Sequence, residues 1–80
     1  MINNSYKISI IIEKDAEGFY AYCPELQGCH SQGDSFEEVN IHIKEAIELF
    51  LETLTPQEAK QYLSKEIYTT ALEVCLAETA

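Results

Sequence analysis

The stretch YKISIIIEKDAEGFYAYC, Tyr6 to Cys23, decides what kind of molecule this is. In residues 6–13, Tyr6, Ile8, Ile10 and Ile12 alternate with Lys7, Ser9, Ile11 and Glu13. A period of two in β-branched residues describes a strand with one well-buried face. Residues 14–18, KDAEG, are polar and end in glycine, as a hairpin loop with a left-handed position at Gly18 would. Residues 19–23 then make a second strand. A five-residue loop sets Ile12 opposite Tyr20 and Ile10 opposite Tyr22, whereas a single bulge reverses that parity.

Downstream, Pro24 has no N–H to give to a ladder, so it ends the second strand or marks an edge. Leu26-Gln27-Gly28 reads as a turn into a short third strand, residues 29–32, stopped by Gly33. Ser35-Phe36-Glu37-Glu38 is a capping box, with Ser35 as N-cap and Glu38 reaching back to it. Phe36, Val39, Ile43, Ala46, Ile47, Phe50, Leu51 and Leu54 follow at helical steps and form a stripe that packs on the sheet. Thr55-Pro56-Gln57-Glu58 repeats the start signal for a short helix to about Leu63. Residues 67–76 read as a closing strand, with Tyr68, Leu72, Val74 and Leu76 on its core side. The expected architecture is α+β, in the order β-β-β-α-α-β, with a small antiparallel-rich sheet and helices on one face.

Eighty residues allow a single domain, residues 1–80, and a chain this short buries only roughly 60–65% of its unfolded surface. Five basic residues, all lysine, stand against fourteen acids, for a net charge of −9. Autonomous nucleic-acid binding is therefore not expected, because the phosphate interaction that dominates such affinity would be repulsive and no arginine is present to read bases. The charge favours a basic partner instead. Three cysteines without a basic leader or a membrane-length apolar run point to a cytoplasmic protein with reduced thiols.

Candidate chemistry is sparse. Two-metal hydrolysis needs converging carboxylates, yet the first strand has Ile8, Ser9 and Ile10 at its centre and its only acid, Glu13, at its end. Asp15 and Glu17 sit in the hairpin, and Glu45 and Glu48 on the polar helix face, so no enzymatic activity, metal or cofactor is expected. Cys23, Cys29, His30 and Cys75 are formally a Cys3His set, but without a CxxC pair they read better as buried thiols and a turn histidine. His30 and His42 have no adjoining nucleophile to form a triad. Ile41 is an apolar residue on the polar side of the helix. On the uncovered sheet face, Ile11, Ala21, Ala71 and Phe19 are expected to leave an apolar patch, and such patches mark interfaces. Patch and small size together suggest a homodimer or tetramer.

In order and spacing, several segments resemble the HicB-like antitoxins of bacterial and archaeal type II toxin–antitoxin systems. They are Ile-Ile-Glu-Lys-Asp at 11–15, Gly-Phe-Tyr-Ala-Tyr-Cys-Pro-Glu-Leu at 18–26, Gly-Cys-His-Ser-Gln-Gly-Asp at 28–34, and the helix from Glu37-Glu38 through Ile43-Lys44-Glu45-Ala46-Ile47-Glu48-Leu49. The likeness is close over residues 6–52; beyond them it rests on length and the expected closing strand. It implies a partial, inert ribonuclease-H-like fold that binds and neutralises HicA, a small basic mRNA-cleaving toxin with a catalytic histidine. Many members add a C-terminal DNA-binding module, which is expected to be absent from a chain ending at Ala80. Glu25, His30, Glu37, Glu45, Glu48 and Glu52 are the residues expected to meet the toxin and occlude its active site. The alternative is an orphan regulatory or scaffold domain of the same fold with a non-ribonuclease partner.

Overall fold

Asp15-Ala16-Glu17-Gly18 makes the first hairpin. The Asp15 Oδ1 accepts the Glu17 N–H at 2.8 Å, and Gly18 takes a φ of +134°. No described non-glycine residue has positive φ, so Ala16 and Glu17 do not form a mirror-image turn; Asp first and Gly fourth is the type I pattern. The computed structural model describes residues 7–77. In it the turn joins β1 (Ile11–Asp15) to β2 (Gly18–Tyr22) through two residues, with Asp15 opposite Gly18 and Ile12 opposite Ala21. The five-residue loop expected from KDAEG is thereby corrected, and Ile12 is not opposite Tyr20. The local reason is the Asp15 side chain, which closes the turn from inside the polar stretch. Of the expected first strand, residues 7–10 carry no regular secondary structure and β1 begins only at Ile11, while Tyr6 lies outside the described residues.

β3 (His30–Gly33) runs antiparallel to β2, giving a sheet in the order β1-β2-β3 with Ala21 opposite Ser31 and Tyr22 opposite His30. Between β2 and β3 the chain closes a tight loop. Cys23 N–H donates to Cys29 O (3.1 Å), Leu26 N–H to Cys23 O (3.1 Å) and Cys29 N–H to Leu26 O (3.0 Å). Gly28, at φ +88°, supplies the left-handed step, and Leu26 is driven fully into the core.

Helix α1 (Phe36–Glu52) packs across one face of the sheet, and α2 (Pro56–Leu63) follows it. The Ser35 Oγ accepts from Glu38 N–H (3.0 Å), while the Glu38 carboxylate takes the Asp34 N–H (2.9 Å), one residue before the expected partner. At α2 the box is reciprocal, with Thr55 and Glu58 exchanging bonds of 2.8 and 3.1 Å. Ala21, Cys23, Leu26, Cys29, Val39, Ile43 and Ile47 form the buried core, flanked by Ile8, Ile10, Ile12, Phe19 and Phe50. Gly33 lets β3 pass under the first turn of α1: a Cβ there would stand 2.6 Å from the Val39 backbone nitrogen. Phe50 and Tyr62 meet edge-to-face at 5.6 Å and tie α2 to α1.

Two expectations are corrected here. Residues 65–77 carry no regular secondary structure, so the closing strand is not paired to this chain's sheet. Tyr68, Leu72, Val74 and Leu76 are between 82% and 92% exposed, and the exposed Cys75 is not a core residue. Period-two alternation makes a segment competent to be a strand, but a ladder exists only where an edge receives it. The segment gives the molecule a longest dimension of 63 Å and a radius of gyration of 16.2 Å, against about 12 Å for a compact chain of this length. Burying those four side chains would contribute about 1.5–3 kcal/mol each, comparable in sum with a small domain's whole stability. The second correction concerns the open sheet face. Ala21 is fully buried and Phe19 packs against the core, so both belong to the helix-covered side. Ala71 lies in the unpaired segment.

Candidate interaction surfaces

The α1 face directed away from the sheet carries a stripe of carboxylates. Glu37, Glu45, Glu48 and Glu52 are all exposed, with Ile41, itself 59% exposed, between the first two. Their spacings of four, four, three and four residues put all five on one line along the helix. Val39, Ile43 and Ile47, on the opposite side, fix the rotation that presents this ridge. The His42 Nδ1 donates to the Gln32 carbonyl at 2.7 Å and holds α1 against the edge strand β3.

The remaining expected site residues lie elsewhere. Glu25 is buried, and both its oxygens accept the Ser9 N–H, at 3.0 and 3.2 Å. Oε1 also accepts from the Cys23 Sγ at 3.6 Å. Glu25 is therefore engaged inside the fold and offers no surface to a toxin. His30 is exposed, but it pairs with Tyr22 on the sheet face that α1 does not cover. There it lies 5.7 Å from the ring of Tyr20, which lies 5.9 Å from Tyr22, making a tilted aromatic strip. The ridge and the strip therefore face opposite ways. The strip was hidden in the sequence because its membership depends on hairpin parity, and the only signal for it was the Tyr-x-Tyr spacing.

Burial raises the thiol pKa of both Cys23 and Cys29, so these cysteines are held neutral rather than activated. Among the described residues no three His, Cys, Asp or Glu side chains are grouped to hold a metal ion. No described helix is long and apolar enough to cross a membrane.

These features define a small, strongly acidic α+β module that presents one charged helical ridge and one aromatic sheet face. The chain belongs to the HicB-like antitoxin family of bacterial toxin–antitoxin systems, whose family model matches residues 6–75. It is 43% identical over 70 residues to a UPF0150 protein of Helicobacter pylori, covering 88% of this chain and 97% of that one. A UPF0150 protein of Archaeoglobus fulgidus is 40% identical over 62 residues, covering 76% and 90%. A UPF0150 protein of Synechocystis is 52% identical over 50 residues, covering 61% of this chain and 63% of its own length. No solved structure matches the chain.

Proposed function

We propose that this protein neutralises a basic, HicA-type mRNA-cleaving toxin in the cytoplasm by covering its active site, with no catalysis of its own. The observation that carries this reading is the ridge Glu37, Glu45, Glu48 and Glu52 in a chain of net charge −9 that belongs to an antitoxin family. A nuclease surface that receives RNA phosphates is positively charged, and a rigid row of carboxylates is complementary to it. Ile41, set within the row, gives the charged contact an apolar anchor. His30 faces away from the ridge, so it falls outside this contact.

The test is co-expression with a basic HicA-type toxin, reading growth and mRNA cleavage, for the parent and for the Glu45→Lys, Glu48→Lys double variant. The parent restores growth and abolishes cleavage. The double reversal changes the ridge by four charges and leaves the buried stripe intact, so it folds but associates more slowly and with weaker salt dependence. Full neutralisation by the double variant at low salt would make the ridge a solvated face and move the interface to the Tyr20, Tyr22 and His30 strip. If the parent itself fails to protect, the orphan-domain reading replaces this one.

A further inference from the structure

A largely apolar groove runs between residues 8–10, which lead into β1, and helix α1; Ile8, Ile10, Ile43, Ile47, Leu51 and Leu63 line it, and Ile41 and Glu48 of the α1 ridge border it with Lys44. It encloses about 520 Å³ and lies beside the outer edge of β1, which pairs with no strand among the described residues. An apolar edge left open in this way is a template for a further strand. The same chain carries an alternating segment that no sheet receives. Tyr68, Leu72, Val74 and Leu76 share one face at period two, each at least 82% exposed, while Thr69, Ala71, Glu73 and Cys75 occupy the other. This segment runs out of the fold and does not turn back over its own groove.

We infer that two copies of this protein exchange these segments, residues 67–76 of each adding to the β1 edge of the other and placing their apolar face in its groove. The fit is chemical as well as geometric. A ten-residue strand spans about 33 Å, longer than β1 and the residues leading into it, so it can pair along the whole edge. Lys44 and Glu48 stand together on the groove wall, so it presents no net charge to a segment whose only charged residue over 67–76, Glu73, lies on the face turned away from it. An aromatic such as Tyr68 alone carries about 150–250 Å². Two tails together with the two grooves they cover therefore reach the roughly 1,200–2,000 Å² of a stable interface. Exchange is reciprocal, so the assembly closes as a two-fold dimer with no edge of β1 left open.

The test separates exchange from closure within one chain. Cys75 is exposed whereas Cys23 and Cys29 are buried, so a nitroxide label goes onto Cys75 of an unenriched copy. That copy is refolded together with a ¹⁵N-enriched copy bearing Cys75→Ser, and sedimentation reports the size. Exchange predicts a dimer in which the amides of Ile8, Ile10, Ile47 and Leu51 of the enriched, unlabelled copy are broadened. The broadening is lost when the labelled copy also carries Leu72→Asp and Val74→Asp. Broadening confined to a control in which one chain is both enriched and labelled shows that the segment closes onto its own groove and overturns the inference. A monomer, or a dimer with no broadening at these amides, overturns it equally.

Discussion

Glu25 is a surface-type residue that the fold has taken inside. Pro24 interrupts the β1–β2 ladder, and the carboxylate of the next residue takes the Ser9 N–H in the ladder's place. Replacing Glu25 by Ala leaves that amide without its acceptor, and such losses cost about 1–3 kcal/mol. Glu25→Gln keeps one acceptor oxygen and should lose less; urea unfolding of the three proteins measures the order. Toxin association by the folded variants should be unchanged, because Glu25 has no surface to offer. The buried thiols give a second expectation. Both Cys23 and Cys29 are raised above 9.0 by burial, so their contribution is fully present below the unfolded value and is lost as pH climbs through the folded ones. The urea midpoint of the parent should therefore fall more steeply above about pH 9 than that of a Cys23→Ala, Cys29→Ala variant. Parallel curves would show that desolvation of these thiols does not matter to the fold.

At the scale of elements, the helices were legible and the sheet was legible only in part. Ser35, Thr55, Pro56 and the apolar stripe of α1 are signals read within one or two turns of chain: Ser35 and Thr55 cap the two helices and Val39, Ile43 and Ile47 are buried, whereas Phe36 at the head of the stripe is 54% exposed. Ser35→Ala should cost about 0.5–2 kcal/mol, visible as a lower thermal midpoint with helix content retained. Sheet parity rests on one event at Asp15-Ala16-Glu17-Gly18, and a polar run of five residues does not reveal where the turn begins. A five-residue loop would turn Ala21 and Phe19 to the open face; the two-residue turn sets them under α1 and gathers Tyr20, Tyr22 and His30 on the other side. Gly33 was legible as a stop but not as the point where β3 and α1 touch. Gly33→Ala drives a methyl into the Val39 backbone and should destabilise by about 1–3 kcal/mol in the same unfolding assay. For residues 67–76 the alternation was legible but the structure holds no strand there, since alternation is local and an accepting edge is not.

For the whole molecule, charge acts in opposite directions on its two kinds of encounter. Each copy carries −9, so two copies repel at long range, whereas the basic toxin proposed as partner would be drawn in. The same field, with no arginine in the chain, should keep it from retarding duplex DNA or RNA at physiological salt. Raising salt from about 0.1 M to about 1 M shortens the Debye length from about 10 Å to about 3 Å. Self-association through an apolar groove is relieved of like-charge repulsion by that change and should tighten. Toxin capture through the Glu37 to Glu52 ridge loses its attraction and should slow. Sedimentation of the protein alone and stopped-flow mixing with a HicA-type toxin, both across that salt series, measure the two trends. If self-association weakens with salt, polar contacts hold the copies together and the groove between β1 and α1 is not their interface. If capture is indifferent to salt, shape and apolar contact at Ile41 or on the sheet face outweigh the carboxylates.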